Sequence, residues 1–321
     1  MIESILKLAI ETRRGIGAFT DTETLRLFYG PGETSHPSLK ELAIDLFKDA
    51  IWITLWKRVK DSDLDAVCDF LERTWGDQLR GISLMDRSEI ATEREAVLIR
   101  GSLGSERFTV KEFGIPYRIQ MIATKHPGLF LDHAPLRKFL KSTQNGKRVL
   151  NLFAYTGSLS IAAGIGGAEQ VTTLDLSKAT IDWAKENWRE AGLEEARGDF
   201  IYGDVFEWLP KLRKRNPQFD TILCDPPSFS RSKSGTFSTQ KDTARLHAAI
   251  LPLLKTGGLL ATSINSENHS ERQFAQDLAL AAKSTGSELR VISRMDLPPS
   301  FPSSLDLRER YLKGFYCIKL R

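Results

Sequence analysis

Five short apolar segments, each followed by a turn and a helical pattern, place the strongest constraint on the fold of this chain. They start after about Lys138 and read RVLNLF, VTTLDL, FIYGDV, DTILCD and LLATSI. Apolar runs of this length are typical of strands buried on both faces, and their alternation with helices predicts a doubly wound parallel sheet. Such sheets bind ligands at the carboxyl ends of their strands, so the polar residues there are the functional candidates.

The amino-terminal part of the chain has strand and helix patterns of another kind. Its opening segment, MIESILKLAIETRRG, predicts an amphipathic helix. Apolar residues alternate over 42–46 and again over 51–55, which predicts a hairpin with its bend at Lys48 and Asp49. Helical spacing then predicts a helix over 61–75 that packs on this hairpin.

The remaining strands of this region are expected at 81–85, 108–112 and 115–122. Together these elements predict a small α+β domain over residues 1–123, followed by a second domain over 124–321. The small domain is the candidate for recognition of a substrate such as RNA.

The composition limits the classes of partner. The 321 residues include 45 Lys and Arg against 41 Asp and Glu, a net charge of +4, so any nucleic-acid site must be a local patch. Neither the three cysteines nor the histidines have metal-ligand spacing, so no metal is expected. The chain has no apolar run near the roughly 20 residues of a membrane span, and its amino terminus lacks the pattern of an export signal. These features favour a cytoplasmic location.

The turn after the first strand of the sheet is the first candidate site. It contains, in chain order, Phe153, Ala154, Tyr155, Thr156, Gly157 and Ser158. A glycine at this point allows the backbone to approach a ligand at a helix amino terminus. The turn lacks the GxGxxG pattern of dinucleotide sites, so a pyrophosphate clamp is not indicated. A plain strand-to-helix turn is the alternative interpretation.

Acidic residues end the second and third strands. Asp175, followed by Leu176 and Ser177, suits hydrogen bonds from the two ribose hydroxyls of a nucleoside, a feature shared by NAD and S-adenosylmethionine sites. Asp204, followed by Val205, could accept a hydrogen bond from an adenine amino group. In each case a structural role at a helix amino terminus is the alternative.

The fourth strand ends in Asp225, Pro226, Pro227, Ser228 and Phe229. Two prolines fix the backbone and remove donors, which leaves carbonyl oxygens free to face a planar, amino-bearing base. The Phe229 ring could stack on a flipped base or pack in the core. The order of the glycine turn, the two acids and the double proline is a strong signal for a methyltransferase.

At this point the sequence resembles a known family, the bacterial large-subunit (23S) ribosomal RNA methyltransferases that include C5-cytosine and N7-guanine enzymes. The motifs that carry the resemblance are FLDHAPLR (130–137), NLFAYTGSLSIAA (151–163), LDLSKATIDWAKEN (174–187), GDVFEWL (203–209) and DPPSFSRSK (225–233). LRLFYGPGE and the hairpin after it are similar to the front domain of some members. The resemblance does not extend to the PUA domain of some relatives, so other surfaces are expected to hold RNA.

The resemblance implies a Rossmann-like class I methyltransferase fold, with a mostly parallel seven-stranded sheet and a smaller amino-terminal domain. It also implies S-adenosylmethionine as cofactor and a base in structured RNA as substrate. By matching positions, Asp175 would hold the ribose, Asp204 the adenine, and 155–158 the methionine part. The cofactor contacts would then include Phe153, Leu176, Ser177, Val205 and Asp225. The catalytic candidates are Asp225, Pro226, Pro227 and Phe229.

Three target atoms are candidates for this arrangement, and the sequence disfavours the first, cytosine C5. Cytosine C5 needs a cysteine thiolate, which the family's cytosine enzymes carry at the end of the strand that here reads LLATSINS, without cysteine. Guanine N7 is already nucleophilic and needs only positioning, and the DPPSF and SINS pattern favours it. An exocyclic amine is the next candidate for the target. The usual motif for methylation of such amines has an aromatic residue directly after the second proline, whereas Ser228 occupies that position here.

Basic residues at the rim, among them Arg231 and Lys233, could contact phosphates, and the Ser-, Thr- and Gly-rich segment 231–240 is expected to be a mobile loop. Two other functions remain open. A nicotinamide oxidoreductase would share the sheet and Asp175, and a non-catalytic RNA-binding protein could retain the fold. The double proline and the missing GxGxxG argue against the first, and only an activity measurement excludes the second.

Overall fold

The computed structural model describes residues 1–215, 218–232, 235–266, 268–302 and 312–321. Contacts between residues divide the chain into two compact units. The first comprises Met1–Ala134 and Leu297–Leu305, and the second comprises Pro135–Asp296 and Asp306–Arg321. By contacts, therefore, the residues just after 123 lie with the first unit, while the expected domain boundary at that point stays a prediction.

The first unit is built around a five-stranded sheet of order β1-β2-β3-β4-β5. Its elements are α1 (Ile2–Gly15), β1 (Thr24–Tyr29), α2 (Gly30–Glu33), β2 (Leu42–Phe47), β3 (Ala50–Leu55), α3 (Asp61–Trp75), β4 (Gly81–Asp86), β5 (Val97–Gly101), β6 (Phe108–Glu112) and β7 (Ile115–Ile119). The strands β3 and β4 run parallel, whereas the other neighbours in the sheet are antiparallel. The strands β6 and β7 form a separate hairpin.

Several local predictions for this unit are confirmed. The strands β2 and β3 form the expected hairpin, with Lys48 at its bend in a left-handed conformation (φ 62°). The helix α3 has the predicted bounds, and its buried residues Val67 and Leu71 join a core cluster with Ile44 and Ile53 of the hairpin. One apolar face of each element therefore meets the others, as amphipathic patterns require.

The second unit carries the larger sheet. Its elements are α4 (Ala134–Thr143), β8 (Arg148–Leu152), α5 (Ser158–Ile165), β9 (Gln170–Asp175), α6 (Lys178–Glu190), β10 (Gly198–Tyr202), α7 (Val205–Arg215), β11 (Phe219–Cys224), β12 (Phe229–Ser232), β13 (Gly235–Ser238), α8 (Thr239–Ile250), β14 (Leu254–Asn265), α9 (Glu271–Ser284), β15 (Leu289–Arg294) and β16 (Leu312–Lys319). The first residue of α4, Ala134, is assigned to the first unit.

This sheet has the order β10-β9-β8-β11-β14-β16-β15 across the described residues. The first five strands in this order are mutually parallel, and β16 is antiparallel to both of its neighbours. The predicted seven-stranded, mostly parallel sheet is confirmed. The chain order reverses between β8 and β11, so the carboxyl ends of these strands form the edge where ligands of such folds bind.

The prediction of a loop over 231–240 is wrong for the residues that the structure describes, whereas the expected mobility of this segment stays a prediction. The strands β12 and β13 pair as an antiparallel hairpin, and α8 starts at Thr239. Lys233 and Ser234 lie outside the described residues, so the expected phosphate contact of Lys233 stays a prediction. Throughout the ranges given above, no helix combines the length and apolar character needed to cross a bilayer.

Candidate functional site

The turn between β8 and α5 has an unusual backbone. Phe153 (φ 55°), Tyr155 (φ 51°) and Gly157 (φ 76°) all lie in the left-handed region. For residues other than glycine this conformation costs about 1–2 kcal/mol each, so the surrounding structure must stabilise the turn. The side chain of Asn187 contributes by donating a hydrogen bond of 2.9 Å to the carbonyl of Thr156, which is fully buried.

The carboxylate of Asp175 is the main support of this turn. Its Oδ2 accepts a 2.8 Å hydrogen bond from the backbone N–H of Tyr155. Its Oδ1 accepts bonds of 2.9 Å from the Ser177 N–H and from the Thr180 hydroxyl. A carboxylate has about four acceptor sites, so one remains beyond these three donors. Asp175 therefore shapes the turn and keeps capacity for a ligand hydroxyl.

Gly157 is required for packing as well as for its conformation. A Cβ at this position would lie 2.9 Å from Cβ of Ala184 on α6 and 3.2 Å from Cδ1 of Ile161. The glycine thus allows close contact between α5 and α6. Sequence reasoning assigned it to close approach of a ligand, whereas the structure gives it this further role in helix packing.

Asp204 is positioned by the start of α7. Its Oδ1 accepts hydrogen bonds from the N–H groups of Phe206 (2.7 Å) and Glu207 (3.4 Å). This is the geometry of a helix cap, which was the structural alternative considered for this acid. Val205 is only 4% exposed and its side chain joins the core, so a cofactor could contact its backbone but not its side chain.

Asp225 lies at the carboxyl end of β11 and is half-buried. Its Oδ1 accepts a 2.6 Å hydrogen bond from the hydroxyl of Ser263, a buried residue of the neighbouring strand β14. Pro226 is buried, whereas Pro227 and Ser228 are exposed, and the Ser228 hydroxyl donates a hydrogen bond to the carbonyl of Asn265. These bonds hold the segment Asp225-Pro226-Pro227-Ser228, called the double-proline corner below, against the end of β14.

The β12–β13 hairpin follows this corner and has two different faces. Phe229 is 53% exposed, and the guanidinium of Arg231 lies 5.4 Å from its ring centroid. On the other strand, Phe237 is 4% exposed, with its ring centroid 5.8 Å from those of both Phe153 and Phe206. Phe229 is thus a surface residue, and it is Phe237 that anchors the hairpin in the core.

A buried polar chain behind the corner was not predicted. Nδ1 of His247 lies 2.8 Å from the carbonyl of Thr243, and Nε2 lies 2.8 Å from the Thr262 hydroxyl. A carbonyl only accepts, so Nδ1 carries the proton, and Nε2 of the neutral ring accepts from Thr262. That hydroxyl is also 3.0 Å from the carbonyl of Cys224, so its single proton can serve only one of these two acceptors at a time.

Burial sets the protonation states of His247 and Cys224. Complete burial lowers the pKa of His247 to about 4, so the ring is neutral at neutral pH. Burial, reinforced by the nearby charge of Asp225, raises the pKa of the Cys224 thiol far above its ordinary value. Cys224 therefore stays a thiol and does not supply a nucleophile.

The residues of this edge fit S-adenosylmethionine. Asp175 has acceptor capacity for a ribose hydroxyl, and Leu176 beside it is 39% exposed, which offers an apolar surface to a purine ring. The strained turn over 153–158 supplies backbone groups around the same point. Elsewhere in the part of the chain that the structure describes, no three His, Cys, Asp or Glu side chains gather as metal ligands would.

Comparisons with solved structures agree with this fold. The crystal structure of SMU.776, described as a methyltransferase complexed with SAH, superposes with a TM-score of 0.89 at 25% identity, covering 99% of this chain and 80% of that one. A SAM-dependent methyltransferase from Agrobacterium tumefaciens superposes with a TM-score of 0.68 at 21% identity, covering 94% of this chain and 91% of that one. The second likeness concerns the fold alone.

Curated relatives confirm the resemblance seen in the motifs. The ribosomal RNA large subunit methyltransferase K/L of Shewanella frigidimarina is 38% identical over 190 residues, which are 59% of this chain and 26% of that protein. Its counterpart in Shewanella loihica is 34% identical over 203 residues, 63% of this chain and 27% of that protein. The chain thus spans about a quarter of the length of these relatives.

A family model described as S-adenosylmethionine-dependent methyltransferase matches residues 25–309. This match includes the glycine turn, the acids that end β9 and β10, and the double-proline corner. Because it extends over most of both units, the chain belongs to the S-adenosylmethionine-dependent methyltransferase family.

Proposed function

We propose that this protein transfers the methyl group of S-adenosylmethionine to a base of large-subunit ribosomal RNA, with guanine N7 as the target atom. One observation carries the proposal: Asp175, Asp204 and Asp225 lie at or just after the carboxyl ends of three parallel strands of one sheet, beside the double-proline corner. Ligands of open α/β sheets bind at this edge, where the chain order reverses. The relatives whose names refer to ribosomal RNA support RNA as the substrate. The proposed location of this reaction is the cytoplasm.

In this proposal each acid has a separate task. Asp175 accepts hydrogen bonds from the ribose, Asp204 accepts from the adenine amino group, and the turn over 153–158 holds the methionine part. When bound, S-adenosylmethionine supplies a methyl group activated by its sulfonium. Asp225 and the two prolines after it orient the target base, and the exposed ring of Phe229 stacks on that base, with Arg231 close to the RNA phosphates.

The chemistry of the corner favours a nitrogen that is already nucleophilic. Methylation of cytosine C5 needs a thiolate, but β14 ends at Asn265 with Ser266 after it, and the thiol of Cys224 is buried with a strongly raised pKa. Guanine N7 has a lone pair in the plane of the base, so positioning and exclusion of water suffice. No side chain has to remove a proton from it.

An exocyclic amine is the second candidate, and the carboxylate of Asp225 is the observation that favours it. A carboxylate at the corner can accept a hydrogen bond from an amino group of the base and orient its nitrogen. Ser263 already donates to Oδ1 of this carboxylate, which fixes its direction. Guanine N7 and an amino nitrogen give different methylated nucleosides, so product analysis separates the two.

The test is methyl transfer by the purified protein. Large-subunit RNA from a strain that lacks the gene is incubated with S-adenosylmethionine labelled in its methyl group, and the labelled nucleoside is identified by mass spectrometry. We expect one methylated nucleoside, 7-methylguanosine, that is also missing from the RNA of the deletion strain. A label found on an amino nitrogen would refute guanine N7 as the target atom and support the exocyclic amine instead.

Cofactor binding and RNA binding, measured alongside methyl transfer, test the two other functions considered for the fold. A calorimetric titration that shows binding of NAD but not of S-adenosylmethionine would favour an oxidoreductase. Binding of RNA without any methyl transfer to naked RNA or to ribosomal particles would favour a non-catalytic RNA-binding protein. Either result would refute the proposed function.

A further inference from the structure

A polar pocket lies near the double-proline corner, beyond the carboxyl end of β14. Its volume is about 200 Å³, and its lining consists of Gln240, Asn268, His269, Gln273, Gln276 and Asp277. Two hydrogen bonds link the corner to residues close in sequence to this lining: the Ser228 hydroxyl donates to the carbonyl of Asn265, and the Ser228 carbonyl accepts from the N–H of Thr239, which precedes Gln240. The proposed cofactor contacts include none of the lining residues.

The lining of this pocket contains one buried histidine. His269 is 4% exposed, and its Nε2 lies 2.9 Å from Oδ2 of Asp277. Because Nε2 faces this carboxylate, the histidine shapes the lining, and the exposed amides around it are the groups that can contact a ligand.

The rim of the pocket consists of four amide side chains. The amide of Gln240 donates a 3.2 Å hydrogen bond to the carbonyl of Asn268, and the Gln273 side chain is used in the cap of α9. The side chains of Asn268 and Gln276 form no hydrogen bond to any residue that the structure describes, and both are exposed at the opening. Each of these amides presents one acceptor oxygen and two donor hydrogens.

This lining fits the edge of a nucleobase better than a phosphate. An amide pairs with adjacent donor and acceptor groups of a base in a bidentate manner, whereas phosphate sites are lined by Lys and Arg. The pocket has no Lys or Arg among its lining residues, and Asp277 would repel an anion. Sequence-specific recognition of RNA commonly takes unstacked bases into such pockets.

We propose that this pocket binds an unpaired base of the RNA next to the target nucleotide. The inference rests on the proposed function, because it assumes that RNA lies across the carboxyl edge of the sheet. Phe229 would then bind the target base on one side of the corner, and Asn268 and Gln276 would bind its neighbour on the other. The pocket would thereby select the sequence context of methylation.

The test combines two protein variants with altered RNA. Asn268→Ala and Gln276→Ala are combined in one protein, and the substrate is an RNA fragment around the nucleotide that the wild-type protein methylates. Each neighbouring nucleotide is replaced in turn by an abasic one. For the wild-type protein we expect one replacement to lower kcat/KM about tenfold, since a bidentate base contact discriminates by that order.

The double variant should methylate the intact fragment about tenfold less efficiently and should be insensitive to the same abasic replacement. Its affinity for S-adenosylmethionine should equal that of the wild type. Gln170→Ala removes an amide at the opposite, amino-terminal edge of the sheet and serves as the matched control, with unchanged kcat/KM. The inference would be overturned if abasic replacement lowered kcat/KM of the double variant as much as that of the wild type at every position. It would also be overturned if no replacement lowered kcat/KM of the wild type. Both results would leave the proposed function intact. Absence of methyl transfer by the wild type would instead refute the proposed function.

Discussion

At the scale of single residues, Asp175 links the shape of the site to its chemistry. Its carboxylate holds Tyr155, Ser177 and Thr180 while it retains one acceptor position. Tyr155 is in a left-handed conformation that this hydrogen bond stabilises. The residue proposed to bind the ribose therefore also builds the turn that is proposed to hold the rest of the cofactor.

Asp175→Ala should abolish binding of S-adenosylmethionine and lower the free energy of unfolding by about 3 kcal/mol, because three donors lose a charged acceptor. Thr180→Ala, the control, removes only one of these donors and should cost about 1 kcal/mol with cofactor affinity nearly retained. Calorimetric titration and chemical denaturation measure the two effects. An Asp175→Ala protein with wild-type affinity would remove this residue from the cofactor site.

Two glycines with similar backbones separate the conformational effect from the packing effect. Gly157→Ala meets both a positive φ and a contact of 2.9 Å with Ala184, and should lower the free energy of unfolding by about 3 kcal/mol. Gly146→Ala has a similar φ of 68° with open space around it, so it should cost only about 1 kcal/mol. Equal losses in denaturant titrations would show that α5 and α6 have room for the methyl group.

The buried His247 predicts a dependence of stability on pH. Its pKa is about 4 in the folded protein and about 6.5 in the unfolded chain, so between these values the unfolded chain binds the extra proton. The free energy of unfolding should therefore fall as pH drops from about 6.5 to about 4, by about 3 kcal/mol for this group. His247→Gln should make the slope of unfolding free energy against pH shallower. His126, whose pKa is also lowered to about 4, is present in both proteins and contributes to both slopes. An unchanged slope in His247→Gln would contradict the assignment of this pH dependence to His247.

The candidate positions in this site could be predicted from the sequence, but their partners could not. The acids at the strand ends follow from the order of strands and turns. Ser263, Asn187 and His247 contact the site only because strands and helices distant in sequence become neighbours. Of these three partners, only Ser263 had a signal in the sequence, because it lies near the end of β14, the strand that adjoins β11.

At the scale of secondary structure elements, the β12–β13 hairpin depends on one aromatic anchor. Phe237→Ala should free the hairpin from Phe153 and Phe206, raise hydrogen exchange over residues 229–238, and abolish methyl transfer, because removal of a buried phenyl ring costs about 3 kcal/mol. Phe229→Ala is the matched control: it should lower turnover while the exchange stays as in the wild type. Unchanged exchange in Phe237→Ala would show that other contacts hold the hairpin.

Prediction of elements succeeded where the apolar pattern was regular. The parallel strands, the β2–β3 hairpin and α3 have clear periods of about two or 3.6 residues. The strand β5, VLIRG, was missed because it is short and mostly half-exposed, which hides its alternation. The β12–β13 hairpin was missed because its Ser, Thr and Gly residues are typical of loops; cross-strand pairing and the burial of Phe237 override that preference.

At the scale of the whole molecule, the near balance of charge restricts how RNA could be held. A net charge of +4 over 321 residues gives little long-range attraction, so recognition must depend on local contacts. The aromatic and cationic face of the β12–β13 hairpin and the amide-lined pocket are the contacts that we propose in the second unit. We therefore expect specificity to come from bases near the corner more than from the phosphate backbone.

The most direct test of this account is a crystal structure of the protein with S-adenosylhomocysteine bound. We predict that the nucleoside lies at the carboxyl edge of the larger sheet, with a carboxylate oxygen of Asp175 about 3 Å from a ribose hydroxyl and the sulfur directed to the corner formed by Pro226 and Pro227. A ligand bound elsewhere, or a ribose out of hydrogen-bonding reach of Asp175, would contradict the account.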